Sequence, residues 1–514
     1  MRLLRSSAIV GLFTSASRVL GLVREMLLAA ALGAGATTDV FLTAFQFPNL
    51  FRRIFAEGAF NSAFVPLYAG KLEGDGPSEA QLFARQVLSL LFTSMLIFVI
   101  LAQIAMPWLM YLLGPGFVED PQTFELAVLL TQITMPYLLM MSLSAMLSGI
   151  LNSHGKFAAA AAAPVLLNLT LIGIMLFSGA AGEQMALYLS VGITMSGMMQ
   201  TAWLWFSARQ LGVRLGLRLP RLTPDTKRLI VLGVPGAVAA GVTQINILVT
   251  SSIATLEEGA RSWLYYADRL YQFPLGVVGI AMGVVLLPTL SGRLRSGDVT
   301  GAANVMNRGL EVSMALTLPA AAALAVIPHF IVTALYQNGA FTADAAEKVS
   351  MAVIAFAAGL PAFVLIKVLS PGFFARQDTM TPMRYAAISV AVNLVLGLAL
   401  FFGPLNFLGL AIATTVAGWT NAILLAVTLR KRGLLQPDAR LVSRFPRIIG
   451  AVLLMSAFLA VAARYTDWLT AHTFGLPLIA LVLVCGAGAA VFGGAAMLTG
   501  ALRISELRDA LKRP

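Results

Sequence analysis

Apolar runs separated by short polar breaks fill the chain from its first ten residues almost to its end. Many reach roughly 18 residues, the length at which a helix spans the hydrocarbon of a bilayer. Fourteen such segments can be marked, at 7–35, 40–69, 83–113, 124–150, 158–178, 185–207, 229–254, 262–290, 309–336, 349–373, 385–403, 408–429, 448–464 and 475–499. No polar block of soluble-domain size lies between them. The pattern predicts an all-α integral membrane protein with about 14 transmembrane helices. The first segment follows Arg2 and Arg5 and contains Ser15-Ala16-Ser17, as a secretory leader would. Its helical pattern continues past Arg18 to about Gly33, so it reads as the first span, not a cleaved leader.

The polar breaks are unequal. If the N-terminus is cytoplasmic and sides alternate, 26 of the 35 Lys and Arg fall on cytoplasmic segments. Three (Arg261, Lys348, Arg464) fall on the opposite side. With Arg85 and Arg464, at the ends of their spans, counted in the loops they border, six remain inside predicted spans: Arg18, Arg24, Arg52, Arg53, Arg269 and Lys367. This asymmetry obeys the positive-inside rule and places both termini in the cytoplasm. The segment 208–228 carries six of the cytoplasmic cations and is long enough for an interfacial amphipathic helix.

Composition agrees with the pattern. The chain is 59% hydrophobic and 11% charged, against about 25% charged in soluble domains. The net charge of +12 is concentrated in loops that would face an anionic inner leaflet, so nucleic acid is not the implied partner. The single cysteine, Cys485, permits no internal disulfide and reads as an ordinary core residue.

An internal repeat divides the chain. Gln46-Phe47-Pro48 recurs as Gln272-Phe273-Pro274, an offset of 226 residues. Pro136 matches Pro361 and Asn168 matches Asn393 at an offset of 225, and Val65-Pro66 resembles Leu287-Pro288 at 222. An offset of six helices leaves both halves in the same orientation, giving two six-helix lobes in a parallel repeat. The implied divisions are 1–221, 222–440, and an appended pair of helices with a tail at 441–514.

Charges within spans are expensive and mark functional positions unless paired. Arg18 stands about 11 residues into the first helix, roughly 17 Å deep at 1.5 Å per residue. Arg24 is deeper, and six helical residues leave the two about 120° apart, so a bend near Gly21 would aim both at one cavity. Arg52 is within the second span and Arg269 within the eighth. Asp39, at the start of the second span, is a candidate charge partner for one of them. Clustered guanidiniums suit phosphate, because the planar fork binds its oxygens in pairs. The alternative is that each arginine neutralises a carboxylate and holds helices together. Arg53 fits that reading with Glu57 at i,i+4, although Arg-before-Glu is the weaker order. Glu25 and Glu311 read as structural, and Lys367 suits a carboxylate or a substrate equally. Pro48 and Pro274 are candidate hinges.

Enzyme signatures are missing: there is no GxSxG, Walker loop or HExxH. His154, His329 and His472 are far apart and have no metal-ligand spacing around them. No catalytic residue, cofactor or metal site is implied. Without an ATPase motif, a transporter would draw on an ion gradient (sodium or proton), the membrane potential or the substrate gradient.

Ser17–Glu25 reads SRVLGLVRE, Gly33–Phe41 reads GAGATTDVF, Pro48–Tyr68 reads PNLFRRIFAEGAFNSAFVPLY, and Trp263–Ser291 reads WLYYADRLYQFPLGVVGIAMGVVLLPTLS. These stretches resemble the MurJ (MviN) family of lipid II flippases, in the multidrug/oligosaccharidyl-lipid/polysaccharide exporter superfamily. The resemblance implies two six-helix lobes around a V-shaped cavity, with two extra helices grooved for a polyprenyl tail. It implies lipid II as substrate, moved from the cytoplasmic to the periplasmic leaflet of the bacterial inner membrane. Membrane lipids and cell-wall synthesis proteins are the further partners. By motif, the family's cavity arginines correspond to Arg18, Arg24 and Arg269, with Asp39 and Arg52 also carried over. Two positions depart from relatives: Gln46 stands where a basic residue is common, and Gln272 where some carry an acid. Rival readings are a flippase for another polyprenyl-linked glycan, a cation-coupled drug exporter of the same superfamily, and a non-transporting scaffold. Deep arginines disfavour the last two.

Overall fold

The apolar segments become α-helices in a computed structural model, which describes residues 2–54, 61–473 and 476–501. No strand occurs among the described residues. Eighteen α-helices follow in order: α1 (Arg2–Leu32), α2 (Ala36–Phe51), α3 (Asn61–Gly74), α4 (Pro77–Leu113), α5 (Pro121–Thr134), α6 (Pro136–Ser153), α7 (Phe157–Phe177), α8 (Gly182–Gln210), α9 (Pro224–Ala254), α10 (Ala260–Arg295), α11 (Val299–Val326), α12 (Pro328–Tyr336), α13 (Ala343–Phe374), α14 (Met380–Phe401), α15 (Asn406–Lys431), α16 (Ala439–Ala462), α17 (Thr466–His472) and α18 (Pro477–Leu498). Among the described residues, nine stretches are long and apolar enough to cross a membrane. They are α4, α5 with α6, α7, α11, α13, α14, α15, α16 with α17, and α18.

Local chemistry explains the boundaries. Asp120, Thr223, Asp298, Thr342 and Asp438 each accept a backbone amide at the start of the helix that follows. This satisfies donors that a helix N-terminus cannot bond internally. Gly33 ends α1 at φ 70°, and a Cβ there would stand 2.4 Å from the Ala340 carbonyl oxygen, so only glycine fits.

Several predicted spans are interrupted. The span at 124–150 divides at Pro136 into α5 and α6, and the span at 309–336 divides before Pro328 into α11 and α12. In the span at 40–69, α2 passes into a π-helical turn at 52–54, and α3 begins at Asn61. The interfacial helix expected in 208–228 is absent: 213–223 has no regular secondary structure until α9 begins at Pro224. Its backbone is bonded to α4 instead. Gln81 Nε2 donates to the Gly212 carbonyl at 2.9 Å, Arg85 Nε to the Arg214 carbonyl at 2.8 Å, and the Arg218 amide to Ser89 Oγ at 2.8 Å. With Gly212, Gly216 and Pro220 in the segment, these bonds outcompete a helical ladder.

The chain divides into two compact units, 1–262 with 339–341, and 263–338 with 342–514. In the first, Phe64 stacks with Tyr68 and Phe83, with ring centroids 5.6 and 5.8 Å apart, and Gly149 lets α6 approach Phe64. In the second, Tyr266 packs on Tyr336 at 5.0 Å, and Gly359 and Gly418 receive the Phe363 ring. Small residues at helix contacts are how helices pack closely in lipid. One hydrogen bond recurs in both units. Thr194 Oγ1 donates to the Ile133 carbonyl at 2.6 Å, and Thr415 Oγ1 to the Ala355 carbonyl at 2.7 Å. Donors and acceptors are separated by 221 and 222 residues, close to the sequence repeat.

Prolines within helices remove an N–H and free the carbonyl four residues earlier. In the first unit three of these carbonyls have replacement donors. Thr134 Oγ1 donates to Ala44, freed by Pro48, at 2.7 Å. Gln103 Nε2 donates to Gln132, freed by Pro136, at 3.0 Å, and Gln132 Nε2 donates to Gln103, freed by Pro107, at 2.9 Å. Cys485, expected in the core, is exposed on α18. An apolar run in a membrane helix has a lipid-facing side, so apolarity does not imply a protein interior.

Candidate functional site

In the first unit, Arg24 is held by a network spanning α1 and α7. Its Nη1 donates to Asn168 Oδ1 at 3.0 Å, and its Nη2 bonds the Glu25 carboxylate. Asn168 Nδ2 donates back to the Ser17 carbonyl at 3.0 Å and reaches Ser17 Oγ at 3.4 Å. Glu25 and Asn168 are buried, and the Arg24 side chain is 16% exposed. Arg18 is exposed on α1, about one and two-thirds turns before Arg24. The helix is continuous through Gly21.

Asp39, nearly fully buried in the first turns of α2, meets the amino end of α10. Its Oδ2 accepts the Gly259 amide at 2.8 Å. Its Oδ1 accepts the Ser262 amide at 2.8 Å and the Ser262 hydroxyl. The carboxylate thereby satisfies free amides and complements the positive end of the helix dipole. Arg261, one residue before Ser262, is buried despite its sequence assignment to an outer loop. It donates to the Ser251 carbonyl at 3.1 Å and to Gln46 Oε1. The position where relatives often carry a base here holds the acceptor for one.

Arg52 lies in the π-helical turn after Pro48, half-buried, with Nε donating to Asn49 Oδ1 at 2.8 Å. π-Turns are frequent at functional sites. The pairing read for Arg53 with Glu57 lies outside the described residues.

In the second unit, Arg269 is half-buried on α10, with its guanidinium 4.5 Å from the centre of the Tyr265 ring. Such stacking orients a cation over the ring face. The neighbouring Asp268 accepts a hydrogen bond from Gln272, one turn on, so the second departure from relatives supplies a donor to an existing acid. Pro274 lies within continuous α10. The Lys367 stem packs on α10 where Gly279 leaves room. Buried Glu311 on α11 is bonded by Arg308, by Arg440 at 3.1 and 3.2 Å, and by buried Arg444 at 2.6 Å. Arg308 also reaches Asp438. This cluster fastens α16 to α11.

Sequence reasoning singled out the arginines by their depth in apolar runs. Asn168 was visible only as a repeat match, while Arg261 and Ser262 gave no signal beyond their residue types. The class follows from the helices and their buried charges: a polytopic helical membrane protein with a transporter fold. Solved structures support that fold. The chain is similar to a lipid II flippase MurJ in an inward closed conformation, with a TM-score of 0.77 and 24% identity over 94% of this chain and 98% of that one. It is also similar to an inward-facing multidrug resistance MATE family transporter of the MOP superfamily, with a TM-score of 0.68 and 14% identity over 81% and 94% of the two chains.

Residues 28–479 match the family model described as lipid II flippase MurJ. A probable lipid II flippase MurJ of Rhizobium meliloti is 46% identical over the whole of this chain and 97% of its own length. The lipid II flippase MurJ of Burkholderia cenocepacia is 33% identical over 94% and 95% of the two chains. The chain belongs to the lipid II flippase MurJ family.

Proposed function

We propose that the protein is a lipid II flippase of the bacterial inner membrane. It moves the undecaprenyl-pyrophosphate-linked peptidoglycan precursor from the cytoplasmic to the periplasmic leaflet by alternating access. Family membership across residues 28–479 carries the substrate assignment. Guanidinium groups within helices of a transporter fold support the mode of binding.

In this reading Arg18, Arg24, Arg52 and Arg269 bind the diphosphate, and Asp39 is a structural charge partner that ties the start of α2 to the start of α10. Gly21, Pro48 and Pro274 are the flexing positions. The fourteen spans leave both termini in the cytoplasm, with lobes at 1–221 and 222–440. Helices of 441–514 receive the polyprenyl tail; Leu453, Leu454, Val482 and Leu483 are exposed apolar residues suited to it. A membrane potential negative inside favours outward movement of an anionic headgroup. Cell-wall enzymes that consume the precursor at the outer surface are the expected partners.

Reconstitution into vesicles with fluorescent lipid II tests the activity directly. Protein-dependent movement of lipid II between leaflets, with no movement of a phospholipid of equal chain length, is expected. Equal rates for both lipids would overturn the substrate assignment.

A further inference from the structure

We infer that Asn168 is a positioning residue for the diphosphate site, setting the direction of the Arg24 guanidinium through a neutral contact beside its ion pair with Glu25. The inference rests on the reading of Arg24 as a substrate-binding residue. Asn168 is buried on α7 and uses both ends of its amide on α1: Oδ1 accepts from Arg24 Nη1 at 3.0 Å, and Nδ2 donates to the Ser17 carbonyl at 3.0 Å. In a continuous helix the Ser17 carbonyl also faces the Gly21 amide. The asparagine therefore spans the segment around Gly21 and fixes Arg24 relative to it.

The chemistry of the amide matters. A carboxylate at 168 would put a second acid on Arg24 beside Glu25, compete with an incoming phosphate, and lose the donor to Ser17. A leucine would keep the branched shape, with bulkier methyl groups, and lose both contacts. The repeat-related Asn393 has a different environment: its Oδ1 accepts from Thr414 Oγ1 at 3.3 Å. It serves as a control for the general loss of a buried asparagine.

The test measures the dissociation constant of purified full-length protein for a short-chain, water-soluble lipid II analogue. Asn168→Leu and Asn168→Asp are each expected to weaken binding about tenfold, the size of one hydrogen bond to a charged group. Asn393→Leu is expected to leave it within about twofold. In an Arg24→Ala background, Asn168→Leu is expected to add no further loss, because the group it positions is gone. An equal loss in both backgrounds, or an equal loss from Asn393→Leu, would make the role structural and overturn the inference. Unchanged binding by Asn168→Leu, with Arg24→Ala still impaired, would overturn it and leave the parent reading intact. Unimpaired binding by Arg24→Ala would instead sink the parent reading. If Asn168→Leu fails to accumulate, Asn168→Asp carries the same comparisons at nearly native volume.

Discussion

The Asp39 carboxylate accepts the Ser262 amide at 2.8 Å, joining the start of α2 to the first turn of α10 across 223 residues of sequence. With the Gly259 amide on its other oxygen, the side chain acts as an N-cap supplied from a distant helix. Asp39→Ala leaves these buried amides without acceptors and should cost about 2 kcal/mol of stability. Asp39→Asn keeps one acceptor oxygen and should cost less. Thermal unfolding in one detergent ranks the two, and the reverse order would contradict this account of the contact.

Glu311 concentrates the charge pairing of the second unit. Removing its charge by Glu311→Gln leaves buried Arg444 undercompensated, at a cost of about 3 kcal/mol. The Arg440 side chain is 41% exposed, so Arg440→Ala should cost under about 1 kcal/mol. Unfolding midpoints that placed the two substitutions level would contradict the difference in burial.

The Ala44 carbonyl freed by Pro48 has a replacement donor in Thr134. Thr134→Val should destabilise by about 1 kcal/mol by leaving the Ala44 carbonyl unfilled. In a Pro48→Ala background the residue 48 amide can take that place, so the same substitution should cost less. Equal costs in both backgrounds, measured by a double-mutant cycle, would show that the hydroxyl does not compensate the proline.

At the α13–α14 corner, outside the apolar stretches, the Arg432 side chain bonded to Asp378 at 2.6 Å and then Thr381 hold the carboxyl down at about 2, against an ordinary 3.8. A depressed folded-state value stabilises the fold above the ordinary value and loses that contribution as pH falls toward the folded one. The stability advantage of native protein over Arg432→Gln should be constant above about pH 4 and shrink between pH 4 and about 2. An advantage that grew on acidification would refute the pairing.

Much of the fold was legible because apolar length is a local signal. Every marked segment is mainly helical where described, and Pro136, one of the repeat matches, divides α5 from α6. The contacts that organise the candidate site are not local. Asn168 reaches Arg24 across 144 residues, and Arg261 reaches Gln46 across 215, separations that leave no periodic trace. Composition also misplaced two features. The length and basic residues of 208–228 suggest an amphipathic helix, whereas α4 side chains bond the backbone of an irregular segment there. Cys485 sits in an apolar run but on its exposed side.

The central claim is that this chain presents lipid II at the outer leaflet by binding its diphosphate through arginines. The most direct test depletes the native flippase from bacterial cells and supplies this protein, or its Arg18→Ala, Arg24→Ala or Arg269→Ala variant, at equal membrane levels. Lipid II exposed at the outer leaflet is then measured. The account predicts restoration by the native sequence and loss in each variant. Restoration by all three variants would contradict the diphosphate site, and failure of the native sequence would contradict the function.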